Sequence, residues 1–151
     1  MTIAVRLKEL GISIPPASPP VAAYIPAVKT GEYVYTSGQL PMKDGQLTSS
    51  GKLGTDVTVD EGYQAARLCA INCLAALNTV SSIEEIVQVV KVTGFVNSSP
   101  GFTNQPQVMN GASELLKEIF GDIGVHARSA VGMAELPRNA SVEVEMIFKV
   151  R

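Results

Sequence analysis

The chain has 151 residues, a length that fits one domain and buries about 70% of the surface its unfolded form would expose. Its 12 Lys+Arg against 14 Asp+Glu leave a formal net charge of -2, which argues against a phosphate-backbone reader, because neutralising several phosphates takes a basic face. Hydrophobic residues make up 46% but charged residues only 17%, under the ~25% usual for soluble domains, so part of the surface is expected to be buried against another copy of the chain.

In chain order, residues 5–10 read as a short helix stopped by Gly11, and the prolines at 15, 16, 19 and 20 as a stiff, extended lead-in. Arg6, Lys8 and Glu9 stand where a signal peptide needs an unbroken apolar run, and no segment approaches the roughly 20 apolar residues of a membrane span. A cytoplasmic protein is expected. Residues 24–30 and 33–40 read as strands joined at Lys29-Thr30-Gly31-Glu32, and 42–55 as a surface loop.

Thr58 stands three residues before Glu61, a capping-box spacing, and opens a helix running to Asn78. Its buried stripe is Ala66, Cys69, Cys73, Leu74 and Leu77. The two cysteines and one His126 fall short of a zinc site, so buried, inert thiols in a reducing compartment are expected. Residues 86–96, β-branched and apolar on both faces, read as a central strand covered on two sides. A second helix over 105–120 buries Val108, Ala112, Leu115, Leu116 and Ile119 and ends at Gly121. Strands over 126–135 and 141–150, joined around Pro137-Arg138-Asn139, close the chain.

The order β-β-α-β-α-β-β is an α+β pattern: a mixed sheet with both helices on one face, in a single domain 1–151 whose residues 1–20 form an N-terminal extension packing on it. No segment is left to cover the other sheet face. This argues for an oligomer independently of the charge count.

The sequence has no Walker loop, no Gly-x-Ser-x-Gly elbow and no Gly-x-Gly-x-x-Gly after a strand. The candidate chemistry lies in 126–134, where alternation puts His126, Arg128, Ala130, Gly132 and Ala134 on one face. An arginine followed by the smallest side chains has space beside it, and a guanidinium fork matches a carboxylate. The last strand carries Glu143 and Glu145 on one face and Val142, Val144, Met146, Phe148 and Val150 on the other. If Arg128 and Glu143 line one cavity, an anion anchor meets an acid/base. The plainer alternative is a cross-strand ion pair. Equally plain readings make His126 a satisfied turn-proximal histidine, Tyr24 a core or interface aromatic, and Gly38 a bulge or close backbone approach.

Ser37-Gly38-Gln39-Leu40-Pro41, then Ala127-Arg128-Ser129 with Val131, then Leu136-Pro137, then Val142-Glu143-Val144-Glu145, resemble the YjgF/RidA family in order and spacing over about residues 21–151. The resemblance implies the fold shared with small chorismate mutases, assembled as a homotrimer with clefts between subunits. It implies hydrolysis of reactive 2-iminoacids and their enamines to 2-oxoacids and ammonia, with no metal or organic cofactor. Carried across, Arg128 clamps the substrate carboxylate and Glu143 orients or activates water. Tyr24 and Asn110 border the cleft, main-chain groups near Gly38 touch the substrate, and Ser37 and Ala130 are further substrate-binding positions. Founding members carry Cys where this chain has Ala130, so a thiol is not essential here; Pro where it has His126; and Gly-Pro where it has Ala22-Ala23. The longer N-terminal stretch marks a longer-chain branch. Two other functions compete: a non-catalytic trimer that binds a small carboxylate metabolite, and, ranked last because of the charge, an endoribonuclease or translation inhibitor.

Overall fold

The computed structural model describes residues 1–17 and 23–151. Pro19, Pro20 and Ala22, named above, lie outside the described residues.

Helix α1 (Ile3–Glu9) begins where the Thr2 hydroxyl accepts from the Val5 amide, and Gly11, at φ +68°, turns the chain away after its end. The Glu84 carboxylate accepts from the amides of Ile3 (3.4 Å) and Ala4 (3.0 Å), and Arg6 Nε donates to the Glu118 carbonyl at 2.9 Å. Arg151, at the other terminus, is held by the same turn: its amide and Nε donate to Glu85, and its Nη2 to the Glu84 carbonyl.

The expected hairpin is present but short. Strands β1 (Ala27–Thr30) and β2 (Tyr33–Thr36) pair antiparallel around Gly31, at φ +57°. The expected loop over 42–55 contains a small hairpin of its own, β3 (Met42–Lys43) with β4 (Gln46–Leu47). Helix α2 (Val59–Leu77) opens with the capping box formed: Thr58 and Glu61 bond reciprocally. Strand β5 (Ile86–Asn97), helix α3 (Gln105–Phe120), strand β6 (Ala127–Met133) and strand β7 (Val142–Val150) follow.

The main sheet has the order β1-β2-β7-β5-β6. β5 and β6 are parallel across the α3 crossover, and β7 runs antiparallel between β2 and β5. Both long helices lie on one face, as expected. Their residues Leu74, Leu77, Met109, Leu115 and Leu116 bury Val34, Val92, Val96, Val144, Met146 and Phe148 of the sheet. Cys69 and Cys73 are free and fully buried, and burial pushes the Cys73 thiol up to about 12.

On the opposite face no element of the chain itself covers β5 among the described residues. Lys91, Thr93 and Phe95 are only half-buried, and Val28, Tyr33, Tyr35 and Val131 stand exposed on neighbouring strands. Among the described residues no helix is long and apolar enough to cross a membrane.

Candidate functional site

Strand register decides which face each candidate occupies. Arg128 stands beside Val92 and Ala130 beside Gly94 in the parallel β5–β6 pair. A Cβ at Gly94 would strike the Met109 side chain of α3, so this is the helix-covered face. Glu143 stands beside Phe95, on the other face.

The structure therefore corrects the idea that Arg128 and Glu143 share a cavity or a cross-strand ion pair within one chain. The strands that carry them follow each other in sequence, but β5 runs between them in the sheet. Among the described residues, Arg128 makes no salt bridge.

Two half-sites result. The first lies where the edge strand β6 meets α3. Arg128 Nη1 donates to Asn110 Oδ1 at 2.9 Å and to Ser113 Oγ at 3.1 Å. Asn110 and Ser113 are one helical turn apart and present neighbouring positions to β6. These two bonds use both Nη1 hydrogens, and among the described residues the Nε–Nη2 edge has no acceptor. The space beside Ala130 is smaller than the run of small residues suggests: Ala130 packs on the core, and a Cβ at Gly132 would lie 2.9 Å from Gln105 Nε2 and 3.1 Å from Ser98 Oγ. Part of that smallness accommodates α3.

His126 is satisfied within the chain, as its plainer reading had it, with Nδ1 2.7 Å from the Gly124 carbonyl and Nε2 2.9 Å from Ser113 Oγ. Burial lowers its pKa below the usual 6.5, and the Arg128 charge adds to this against the Gly124 bond.

The second half-site lies on the uncovered face. Gln39 exchanges backbone bonds with Val144 (2.8 and 3.0 Å), which seats Ser37-Gly38 against β7. A Cβ at Gly38 would meet the Glu143 carboxylate, the far end of a flexible side chain, so the glycine leaves that group its present position. Ser37 Oγ donates to the Ile25 carbonyl at 2.6 Å, tying this strand end to the segment that carries exposed Tyr24. Burial, and then the Glu145 charge, push the half-buried Glu143 carboxyl above its ordinary range.

The structure thus groups Arg128, Asn110 and Ala130, and separately Ser37, Gly38 and Glu143, with exposed Tyr24 next to the Ile25 carbonyl that Ser37 bonds. Ser113 was not singled out from the sequence. Its spacing from Asn110 was the available signal, and it says nothing until the facing strand is known. No group of three or more His, Cys, Asp or Glu side chains that could hold a metal occurs among the described residues.

Comparison with known proteins points one way. Residues 4–149 match a family model described as "YjgF/chorismate mutase-like, putative endoribonuclease". The chain is 35% identical over 139 residues to a 2-iminobutanoate/2-iminopropanoate deaminase of Dermatophagoides farinae, covering 92% of this chain and 94% of that protein. A solved structure from Agrobacterium tumefaciens, of unknown function, superposes with a TM-score of 0.91 at 44% identity, covering 99% of this chain and 94% of that one. Escherichia coli TdcF with bound serine superposes with a TM-score of 0.59 at 26% identity, covering 91% and 94%.

Proposed function

The chain belongs to the YjgF/RidA family, and from that premise we propose that it hydrolyses reactive 2-iminoacids and their enamines to 2-oxoacids and ammonia. The observation that carries this reading is the Arg128 guanidinium. Asn110 and Ser113 occupy its Nη1 hydrogens, and the Nε–Nη2 edge has the planar two-donor geometry of a carboxylate partner.

Arg128 grips the substrate carboxylate and orients the adjacent iminium carbon. That carbon is already electrophilic, so positioning and one proton relay suffice. Glu143 takes a proton from water as the new C–O bond forms and the C=N electron pair moves onto nitrogen. It then returns the proton to nitrogen. The C–N bond breaks with its electron pair leaving on nitrogen as the hydroxyl becomes a carbonyl, and the hydroxyl proton passes through Glu143 to the departing ammonia, so that iminium plus water gives 2-oxoacid plus ammonium.

The two half-sites of one chain lie on opposite sheet faces, so each complete cleft takes Arg128 from one copy and Glu143, Gly38 and Tyr24 from a neighbour. The exposed Val28, Tyr33, Tyr35 and Val131 support burial of the open face in such an assembly, which we take to be a homotrimer. The expected partners are thus small carboxylate metabolites and further copies of the chain, acting in the cytoplasm.

The test supplies iminoacid from an amino-acid oxidase and follows 2-oxoacid release. Wild type accelerates release, and Arg128→Ala lowers efficiency about 10- to 100-fold, the size of one charged hydrogen-bonded clamp. An unchanged rate in that variant removes the mechanism. The serine bound to TdcF favours a second reading, capture of a small carboxylate without turnover. Saturable 2-oxobutyrate binding with no effect on imine decay would select it. The endoribonuclease label in the family description finds little support in a net charge of -2.

A further inference from the structure

Arg128 is approached from inside the protein by a chain of hydrogen bonds whose direction can be worked out. A carbonyl only accepts, so His126 Nδ1, 2.7 Å from the Gly124 carbonyl, carries the ring proton. In the neutral ring Nε2 then accepts, and the partner 2.9 Å away is Ser113 Oγ. Serine has one hydrogen to give. Once it is donated to Nε2, the oxygen can only accept from Arg128 Nη1, which lies at 3.1 Å. Burial and the Arg128 charge both favour the neutral ring. Without the imidazole acceptor, the hydroxyl could rotate and direct its hydrogen toward the guanidinium.

We propose that Ser113 and His126 are positioning residues for the carboxylate clamp: the imidazole fixes the serine hydroxyl as an acceptor, Ser113 and Asn110 pin Nη1, and the Nε–Nη2 edge is thereby aimed at the substrate. This rests on reading Arg128 as that clamp. Neither residue touches the substrate; both act through the arginine. An arginine free to swing must be ordered each time it grips an acid, and pre-ordering it strengthens binding of the carboxylate group in particular. The effect therefore belongs in KM and in product affinity more than in kcat.

The experiment measures KM, kcat and the Kd for 2-oxobutyrate in Ser113→Ala, Ser113→Thr, His126→Phe, Arg128→Ala and the doubles Ser113→Ala/His126→Phe and Ser113→Ala/Arg128→Ala. Ser113→Ala should raise KM and Kd roughly 3- to 10-fold, with kcat within about twofold, and Ser113→Thr, which restores the hydroxyl, should recover most of the loss. His126→Phe should match Ser113→Ala, and their double should be no worse than either, because the two act through one bond. In the Arg128→Ala background the serine substitution should add nothing. The relay is overturned if Ser113→Ala leaves KM and Kd unchanged, if it lowers kcat alone, or if its cost persists undiminished without Arg128. A different result, full 2-oxobutyrate affinity in Arg128→Ala, would instead remove the clamp reading on which the relay rests.

Discussion

In the proposed mechanism Glu143 serves chemistry at a cost to stability. Burial and the Glu145 charge raise its pKa in the folded protein above the usual 4.5, so the fold favours the protonated acid. The folded state then binds more protons than the unfolded chain between 4.5 and the raised value, and stability declines as pH rises through that window. Glu143→Gln removes the ionisation. Its Tm relative to wild type should be higher at pH 7 than at pH 4, while imine hydrolysis falls at least about 100-fold, the usual contribution of a positioned acid/base. Thermal melts at the two pH values, alongside the oxidase-coupled assay, check both halves. A variant that loses stability at pH 7 would show that the carboxylate is a structural partner instead. At this scale the sequence was a good guide to residue types: an arginine and a glutamate at positions of those periods stood out. It was a poor guide to their surroundings. The small residues after Arg128 read as open space, whereas Gly132 partly makes room for Gln105 and Ser98. A small side chain in a strand can mark a ligand or a closely packed neighbour, and one chain of letters does not distinguish them.

Among the elements, what could be read was what is local. The Thr58–Glu61 capping box, the start and end of α3, and the inward alternation of Val142, Val144, Met146, Phe148 and Val150 all follow from spacings of a few residues, and all are present. What could not be read was non-local. Nothing between residues 127 and 150 announces that β5 runs between β6 and β7, because sheet order depends on pairings between residues far apart in the chain, such as Lys91 with Ala127 and Ile86 with Val150. The close approach of α2 and α3 was equally hidden. Gly111 faces the α2 backbone, and a Cβ there would collide with the Tyr63 carbonyl. Backbone cannot step aside as a rotamer can, so Gly111→Ala must push the helices apart. It should cost about 2–3 kcal/mol, despite alanine's better helix propensity, and chemical denaturation of the purified variant measures it. A neutral or stabilising result would mean that the helix pair has slack.

Across the whole molecule, the proposed split cleft would give each copy two distinct duties. If a cleft draws Arg128 from one subunit and Glu143 from the next, two impaired variants can repair one another. Co-expression of Arg128→Ala with Glu143→Gln in equal amounts should restore about one quarter of wild-type activity, the statistical share of clefts that receive both intact residues in a closed ring. Each variant alone should stay at its own reduced rate, at most about a tenth of wild type, and mixtures no faster than the variants would place both groups on one chain. The termini have a different consequence. The turn holding Glu84 and Glu85 bonds to the amides of Ile3 and Ala4 and to Arg151, so residues 3–4 and residue 151 meet at one spot. A short peptide bridge from Arg151 to Met1 would close the backbone on itself, and new ends could be cut at Asp44-Gly45, the exposed tip between β3 and β4. Such a circular permutant would keep every strand of the large sheet uninterrupted.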